Sequence, residues 1–338
     1  KMKRVVLYTN SSSVNDATRH YIDTINKAAS DLGYTFYFSE SIKNIKFNDI
    51  ILTIVPNNFF KALLLRPFSK TLFWSQGIEP EECWLRENNF LKYYAKNIIE
   101  YVSLRFSGMQ FLVSEAMQNH YKDKYGINFA NFQIMPCYNL HQKKATNLNL
   151  AKYDSPTFVY AGSLSAWQNI DETLQVYKHI ENIIPEATLT LLTEEKIKAQ
   201  ALIKQYDIQN AKVRYVTLNN LNEELLKYKY GFLLRKDIKV NHVSTPTKMN
   251  SYLSSGVIPV YTDAIKDFLK NINLNNFNLR LKSSDSIEEM ANTIISFENN
   301  ESDFTDLNSH IKNIFNDYFN DKKYIEQIKI KLKNYLSN

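Results

Sequence analysis

A lone lysine near the start of a short helix, between an opening proline and a closing glycine, is the arrangement in this chain best suited to holding an anion. It lies in residues 244–260, Ser-Thr-Pro-Thr-Lys-Met-Asn-Ser-Tyr-Leu-Ser-Ser-Gly-Val-Ile-Pro-Val. Pro246 opens the helix, because the N–H that proline lacks has no intrahelical partner in a first turn. Gly256 supplies the left-handed stop, and the apolar run 257–261 reads as a strand. A helix N-terminus presents free N–H groups and partial positive charge, and Lys248 adds a full charge beside them. That combination suits a diphosphate.

A second segment of this kind lies about eighty residues earlier. Thr157-Phe158-Val159-Tyr160-Ala161 reads as a buried strand that runs into Gly162-Ser163-Leu164-Ser165-Ala166-Trp167-Gln168-Asn169. An amphipathic helix with Ile170, Leu174, Val176, Tyr177 and Ile180 follows. Strand, small-residue turn and helix N-terminus is how open α/β sheets build anion sites at the carboxyl ends of their strands. The backbone N–H groups and hydroxyls of Gly162, Ser163 and Ser165 are phosphate ligands by type, and Trp167 reads either as a wall of the site or as a buried core residue.

A third segment, Phe73-Trp74-Ser75-Gln76-Gly77-Ile78-Glu79-Pro80-Glu81-Glu82, crowds three carboxylates into four positions. Crowding raises a carboxyl pKa toward the range a general base needs. Pro80 at a helix start with Glu81 and Glu82 complementing the dipole is the competing reading, which leaves Glu79, Gln76 and Gly77 as the chemical candidates. The first loop, Thr9 to Asp16, also joins a strand to a helix, so Asn10, Ser11, Ser12 and Ser13 are candidate acceptor or sugar contacts, the competing reading being Ser13 or Asn15 as an N-cap. It lacks Gly-x-Gly-x-x-Gly, which speaks against a nicotinamide dinucleotide.

Taken in order, these three segments resemble GT-B fold glycosyltransferases, in particular the GT4-like family of bacterial surface-polysaccharide biosynthesis. The resemblance implies two Rossmann-like α/β domains facing across a cleft, with a nucleotide diphosphate sugar as donor. The acceptor implied is a growing, lipid-linked glycan at the inner face of the cytoplasmic membrane. On that reading Gln168, His242, Ser244, Thr245, Asn250 and Ser251 join Gly162, Ser163, Ser165 and Trp167 around the donor, and Gln76, Gly77, Asn10, Ser11 and Ser12 face the acceptor. Members of the family place an Arg and a Lys in the turn after the first strand of the second domain, where this chain has Ser163 and Gln168. The positive charge then falls to Arg235, Lys236 or Lys248, and Glu79, Arg235 and Lys248 become the catalytic candidates. Arg235 follows an apolar strand, and its planar fork suits phosphate oxygens, the other reading being a surface pair with Asp237. The Glu-x7-Glu element of retaining members is absent, Ser251 standing at the second Glu and Val243 near the first. The retaining assignment therefore stays open. A non-catalytic nucleotide-sugar-binding subunit and an epimerase-like enzyme on the same fold are the rival expectations.

Positioning these residues takes alternating strands and helices. Strands are expected at 5–8, 34–38, 50–55, 71–74, 111–113 and 132–135, and again at 158–160, 188–192, 213–216, 231–234 and 257–261. Helices of 10–15 residues between strands imply parallel sheets with crossover connections. The expected division is 1–150 for an acceptor-binding domain, 151–303 for a nucleotide-sugar-binding domain and 304–338 for C-terminal helices that could pack back on the first domain. The polar stretch 141–156 reads as the linker. A chain of 338 residues accommodates two such cores.

Composition narrows the classes. The net charge is +6, but Lys and Glu alternate on helices instead of forming runs, and the 22 tyrosines and 20 phenylalanines are not interleaved with arginines. That pattern argues against nucleic acid and is compatible with anionic lipid or diphosphate. Two cysteines without metal spacing read as free thiols, and there is no Asp-x-Asp, Walker A or clustered His. The expectation is metal-independent chemistry in the cytoplasm, with no cofactor. No apolar run reaches the ~20 residues that span a bilayer. The amphipathic basic tail 324–336 could rest on a membrane or pack on the protein itself.

Overall fold

The computed structural model describes residues 3–142, 150–300 and 303–337, so part of the expected linker, residues 143–149, lies outside the described residues. The chain divides into two compact units. The first takes the chain up to Asn139, Val243–Thr245 and the chain from Asn320 on; the second takes Leu140–His242 and Pro246–Phe319.

In the first unit the strands are β1 (Lys3–Tyr8), β2 (Tyr34–Ser39), β3 (Ile50–Thr53), β4 (Thr71–Trp74), β5 (Met109–Leu112) and β6 (Phe132–Ile134). They form one parallel sheet in the order β2-β1-β3-β4-β5-β6. The second unit has β7 (Thr157–Ala161), β8 (Thr188–Leu192), β9 (Ala211–Arg214), β10 (Tyr230–Leu233), β11 (Ile258–Thr262) and β12 (Leu279–Leu281), again all parallel, in the order β12-β11-β10-β7-β8-β9. Central strands such as Ile-Ile-Leu-Thr in β3 and Ile-Pro-Val-Tyr-Thr in β11 are buried throughout, as expected of parallel strands covered on both faces. Both orders reverse direction once. The reversal lies between β1 and β3 in the first sheet and between β7 and β10 in the second. The carboxyl ends of the strands flanking such a switch point are where α/β sheets hold ligands.

The expected strands all form, with boundary shifts of one to two residues. The short β12 and the helices Lys239–Val243 and Lys266–Asn271 go beyond the expected elements. Two helices, Glu79–Glu87 and Phe90–Phe106, connect β4 to β5. Asn88 ends the first in the left-handed region, and the Asn89 side chain caps the second by accepting the Lys92 N–H at 3.0 Å. Asparagine tolerates the left-handed conformation better than other non-glycine residues and is also a strong N-cap, so the pair breaks the periodicity.

The tail forms two helices, Leu307–Asp317 in the second unit and Asp321–Ser337 in the first. The latter buries Tyr324, Ile328 and Leu332 and packs on the helix Asp16–Asp31. Its first residue, Asp321, accepts a hydrogen bond from Tyr138 at 2.8 Å and pairs with His20 at 2.9 Å. The apolar side of this helix is therefore covered by protein and is not available to a bilayer. No helix among the described residues is long and apolar enough to cross a membrane.

Candidate functional site

In the second unit, Tyr252 sets the register of the candidate anion site. It lies in the helix Thr247–Ser254, and its hydroxyl donates to Phe232 O in β10 at 3.0 Å while accepting the Ala161 N–H at the end of β7 at 3.1 Å. One helical turn earlier, Lys248 is thereby carried to the turn that leaves β7. Gly162 in that turn has φ +139°, a backbone open to few residues but glycine, and a Cβ there would stand 2.7 Å from Lys248 Nζ. Glycine is needed both for the turn and for the approach of the amine. The ammonium donates to Gln168 Oε1 at 2.6 Å and stands 5.0 Å from the centre of the Tyr160 ring. The helix N-terminus has no side-chain cap, Pro246 occupying that position.

Arg235 arrives from the neighbouring strand of the switch point, two residues beyond β10. Its backbone is fixed by Thr262, whose hydroxyl accepts the Arg235 N–H at 2.9 Å and donates to Arg235 O at 2.7 Å. The guanidinium donates through Nη1 to Trp167 O at 2.9 Å, and its Nε is buried without a hydrogen-bond partner among the described residues. Arg235 is 3% exposed and Lys248 9%. Among the described residues no carboxylate forms an ion pair with either, and Asp237 pairs with His242 at 2.5 Å instead. Burial brings the Arg235 guanidinium down to about 10. Burial, then the charge of Arg235, holds the Lys248 ammonium well below the ordinary lysine range. Two desolvated cations that repel one another are expensive unless an anion offsets them. This pair of cations has the chemistry of an anion site.

The other donor-side candidates fall into two groups. Gln168 and Trp167 touch the cations directly. Ser163 and Ser165 sit on the same turn, their hydroxyls 3.1 Å apart, and the Ser163 carbonyl accepts from Tyr160 at 2.5 Å. Asn250 is buried instead, its amide spent on both backbone groups of Leu140 at 2.9 Å. Ser251 bonds back to Thr247 O at 3.1 Å within its own helix. Ser244 and Thr245 are grouped with the first unit, where Thr245 Oγ1 accepts the Cys137 N–H at 3.0 Å. Lys236 is exposed.

The first unit has a cavity of about 280 Å³ at the carboxyl ends of β1, β3 and β4. Ser13 and Asn15 line it from the first loop, Ile54 to Pro56 from the second, and Gln76, Gly77, Glu79 and Glu82 from the third, with Glu100 from the helix Phe90–Phe106. Asn10, Ser11 and Ser12 are not among the lining residues; all three are on the exposed turn, where Ser11 N–H donates to Glu40 at 2.6 Å. Gln76 donates to Ile54 O at 3.4 Å, and the Gly77 carbonyl accepts from Tyr121 at 3.1 Å.

The three crowded carboxylates are not equivalent. All stand in the first turn of the helix Glu79–Glu87. Glu79 is ion-paired with Lys96, and Glu81 with Lys124 at 2.8 Å. Glu82 has neither ion pair nor hydrogen bond to its carboxyl among the described residues, and a Cβ at Gly77 would collide with its Oε1. Burial, and after it the neighbouring Glu79 and Glu81, raises the Glu82 carboxyl against the opposing pull of Arg86. Glu100 is raised further, to about 7, because burial outweighs its 3.2 Å pair with Lys124 and the 2.8 Å hydrogen bond from Tyr125. Sequence reasoning missed Glu100, whose burial in mid-helix leaves no signal in a residue string. Among the described residues no group of three His, Cys, Asp or Glu is placed to hold a metal.

Neither a family model nor a curated protein matches the chain. Solved structures do. A sucrose-phosphate synthase from Thermosynechococcus elongatus superposes with a TM-score of 0.73 at 11% identity, covering 100% of both chains. HepE from Anabaena, solved with UDP and glucose, gives 0.70 at 12% identity over 98% of this chain and 100% of its own. A TarM variant from S. aureus, solved with UDP, alpha-GlcNAc-glycerol and Fondaparinux, gives 0.69 at 13% identity over 88% of this chain, which spans 57% of TarM. At such identities the likeness is one of fold: two six-stranded parallel sheets with surrounding helices, the GT-B arrangement of these transferases.

Proposed function

We propose that this chain is a glycosyltransferase that moves a sugar from a nucleotide diphosphate sugar to a growing, lipid-linked glycan without a metal ion. The observation that carries the reading is the pair of buried cations, Arg235 and Lys248, converging on the Gly162 turn at the switch point of the second sheet with no carboxylate partner among the described residues. Glycosyl transfer needs charge stabilisation on the departing diphosphate, and prepositioned donors in a dry site are the usual source of it. Arg235 offers a fork to two oxygens, Lys248 a point charge, and the Gly162–Ser163 backbone an approach free of side chains. A diphosphate would also favour the charged form of Lys248 against the burial that opposes it, since a nearby anion stabilises an ammonium. Because HepE and TarM are solved with UDP, UDP is the first nucleotide to test.

On the acceptor side, Glu79 is held by Lys96, which turns attention to Glu82. A carboxylate without an ion pair among the described residues, its pKa raised by burial, beside Gln76, Ser13 and Asn15 is suited to accept the hydrogen bond, and then the proton, of a sugar hydroxyl.

A second reading, a nucleotide-sugar-binding subunit without turnover, is favoured by one observation: Asn250 and Ser251, on the helix that carries Lys248, spend their polar groups on the fold. Calorimetric titration with UDP and UMP, followed by donor turnover against a glycan panel, tests both. UDP binding much tighter than UMP, with turnover, is the expected result. Binding without turnover favours the second reading, and no binding of any nucleoside diphosphate sinks both.

A further inference from the structure

The amphipathic tail helix is covered, but another apolar face is not. On the helix Phe90–Phe106, the residues Phe90, Leu91, Tyr94, Ile98 and Tyr101 are all exposed, Leu91 at 79% and Phe90 at 66%. At 100° per residue these five and Arg105 fall within a stripe of roughly 100°, about 22 Å long. Buried Ser103, Glu100 and Leu104 lie outside that stripe. The helix Pro56–Leu65, which packs against it, exposes Phe60, Leu64 and Leu65, and Phe68 follows at 83%. A water-soluble surface rarely leaves so many large apolar side chains uncovered on adjoining elements.

Charge selects among the things that could cover them. The two helices contain one carboxylate, Glu100, and it is buried. Their cations are Lys61, Lys92, Lys96 and Arg105, of which Lys61 and Arg105 are exposed and without ion pairs among the described residues. Exposed aromatic side chains beside basic ones, with no acid among them, are the composition of a surface that lies in the headgroup region of an anionic bilayer. We infer that the stripe from Phe90 to Arg105, flanked by Pro56–Phe68, docks this protein on an anionic lipid surface. The inference stands on this face alone, so lipid binding and nucleotide binding can fail separately.

Flotation of the full chain with phosphatidylcholine vesicles, with and without about one-third phosphatidylglycerol, tests it. The protein is expected to float with the anionic vesicles and to stay in solution with the neutral ones. Leu91→Glu combined with Ile98→Glu, both on the surface, should lower the bound fraction at least tenfold. Ile197→Glu, at an exposed apolar position in the second unit, should leave it unchanged. UDP titration of each variant serves as the check on folding and on the donor site. Failure of the wild type to float with anionic vesicles overturns the inference, as does equal flotation of the Leu91/Ile98 pair. So does a concentration-dependent dimer, abolished by that pair, in a protein that ignores lipid, which would assign the face to a second copy.

Discussion

The two units solve the same topological problem with opposite charge. Each has a parallel sheet whose strand order reverses once, and each gathers polar side chains at the carboxyl ends of strands at or next to that reversal. In the second unit the gathered groups are Arg235 and Lys248, two buried cations without a carboxylate partner among the described residues. In the first they are Glu79, Glu82 and Glu100 around a cavity that also holds Gln76, Ser13 and Asn15. A shared fold thus says little about the ligand, whereas the sign and burial of a few side chains say a great deal. Cations without a counter-charge call for an anion. Glu82 and Glu100, whose carboxyls burial pushes upward, call for a hydroxyl with a proton to give.

The contrast can be broken at four points, taken from the largest expected effect downward. Glu82→Gln should lower turnover about 100-fold or more, the usual worth of a positioned base, with Glu79→Gln losing less than tenfold. Turnover in the parent should rise with pH through the raised Glu82 pKa. Equal losses in the two variants, read by steady-state kinetics, would remove Glu82 from the role. Next, Arg235→Ala and Lys248→Ala should each weaken UDP binding by roughly 10- to 100-fold, as expected for charge-assisted hydrogen bonds of about 1.5–3 kcal/mol. Calorimetry that finds either within twofold of the parent would break the donor-site half of the contrast.

Gly162→Ala comes third. It forces an L side chain to φ +139° and against the Lys248 amine, so it should cost about 1–3 kcal/mol in denaturant unfolding and about tenfold in UDP affinity. Smallest is a pH effect. Glu100 carries a folded-state pKa near 7, above its ordinary value, so the native state holds the extra proton between about pH 4.5 and 7. Stability should therefore fall as pH rises across that window, by roughly 1–3 kcal/mol, and then level off. Urea unfolding of Glu100→Gln should show a flatter profile; an unchanged slope would mean that some other group carries it.

How much of this is legible in the sequence depends on the range of the interactions concerned. The Gly162 turn and the helix that carries Lys248 can be read locally, because an apolar run, a glycine and a Pro–Gly bracket each act within a few residues. The helix break at Asn88–Asn89 is less so, since asparagine signals it only weakly inside a strong periodic pattern. The short β12 offers three residues, Leu-Arg-Leu, too few for any period to emerge. Partnerships across the sequence are not legible at all. Nothing near Asn250 announces that its amide will be taken up by Leu140, 110 residues away, or that Glu79 will find Lys96 while Glu82 finds no ion pair among the described residues. The apolar residues of Phe90–Phe106 can be read as a helix, but whether they face protein or open surface is decided by the rest of the fold.

The central claim is that Lys248 is retained in a dry, positively charged place for the sake of an anion. Melting of the parent and of Lys248→Met, each with and without saturating UDP, addresses it most directly. Replacing an uncompensated buried cation by an apolar side chain of similar length should raise the melting temperature of the free protein by a few degrees. The same change should abolish most of the rise that UDP produces in the parent. A free Lys248→Met protein that melts several degrees lower, or one that UDP stabilises as strongly as the parent, would contradict the account.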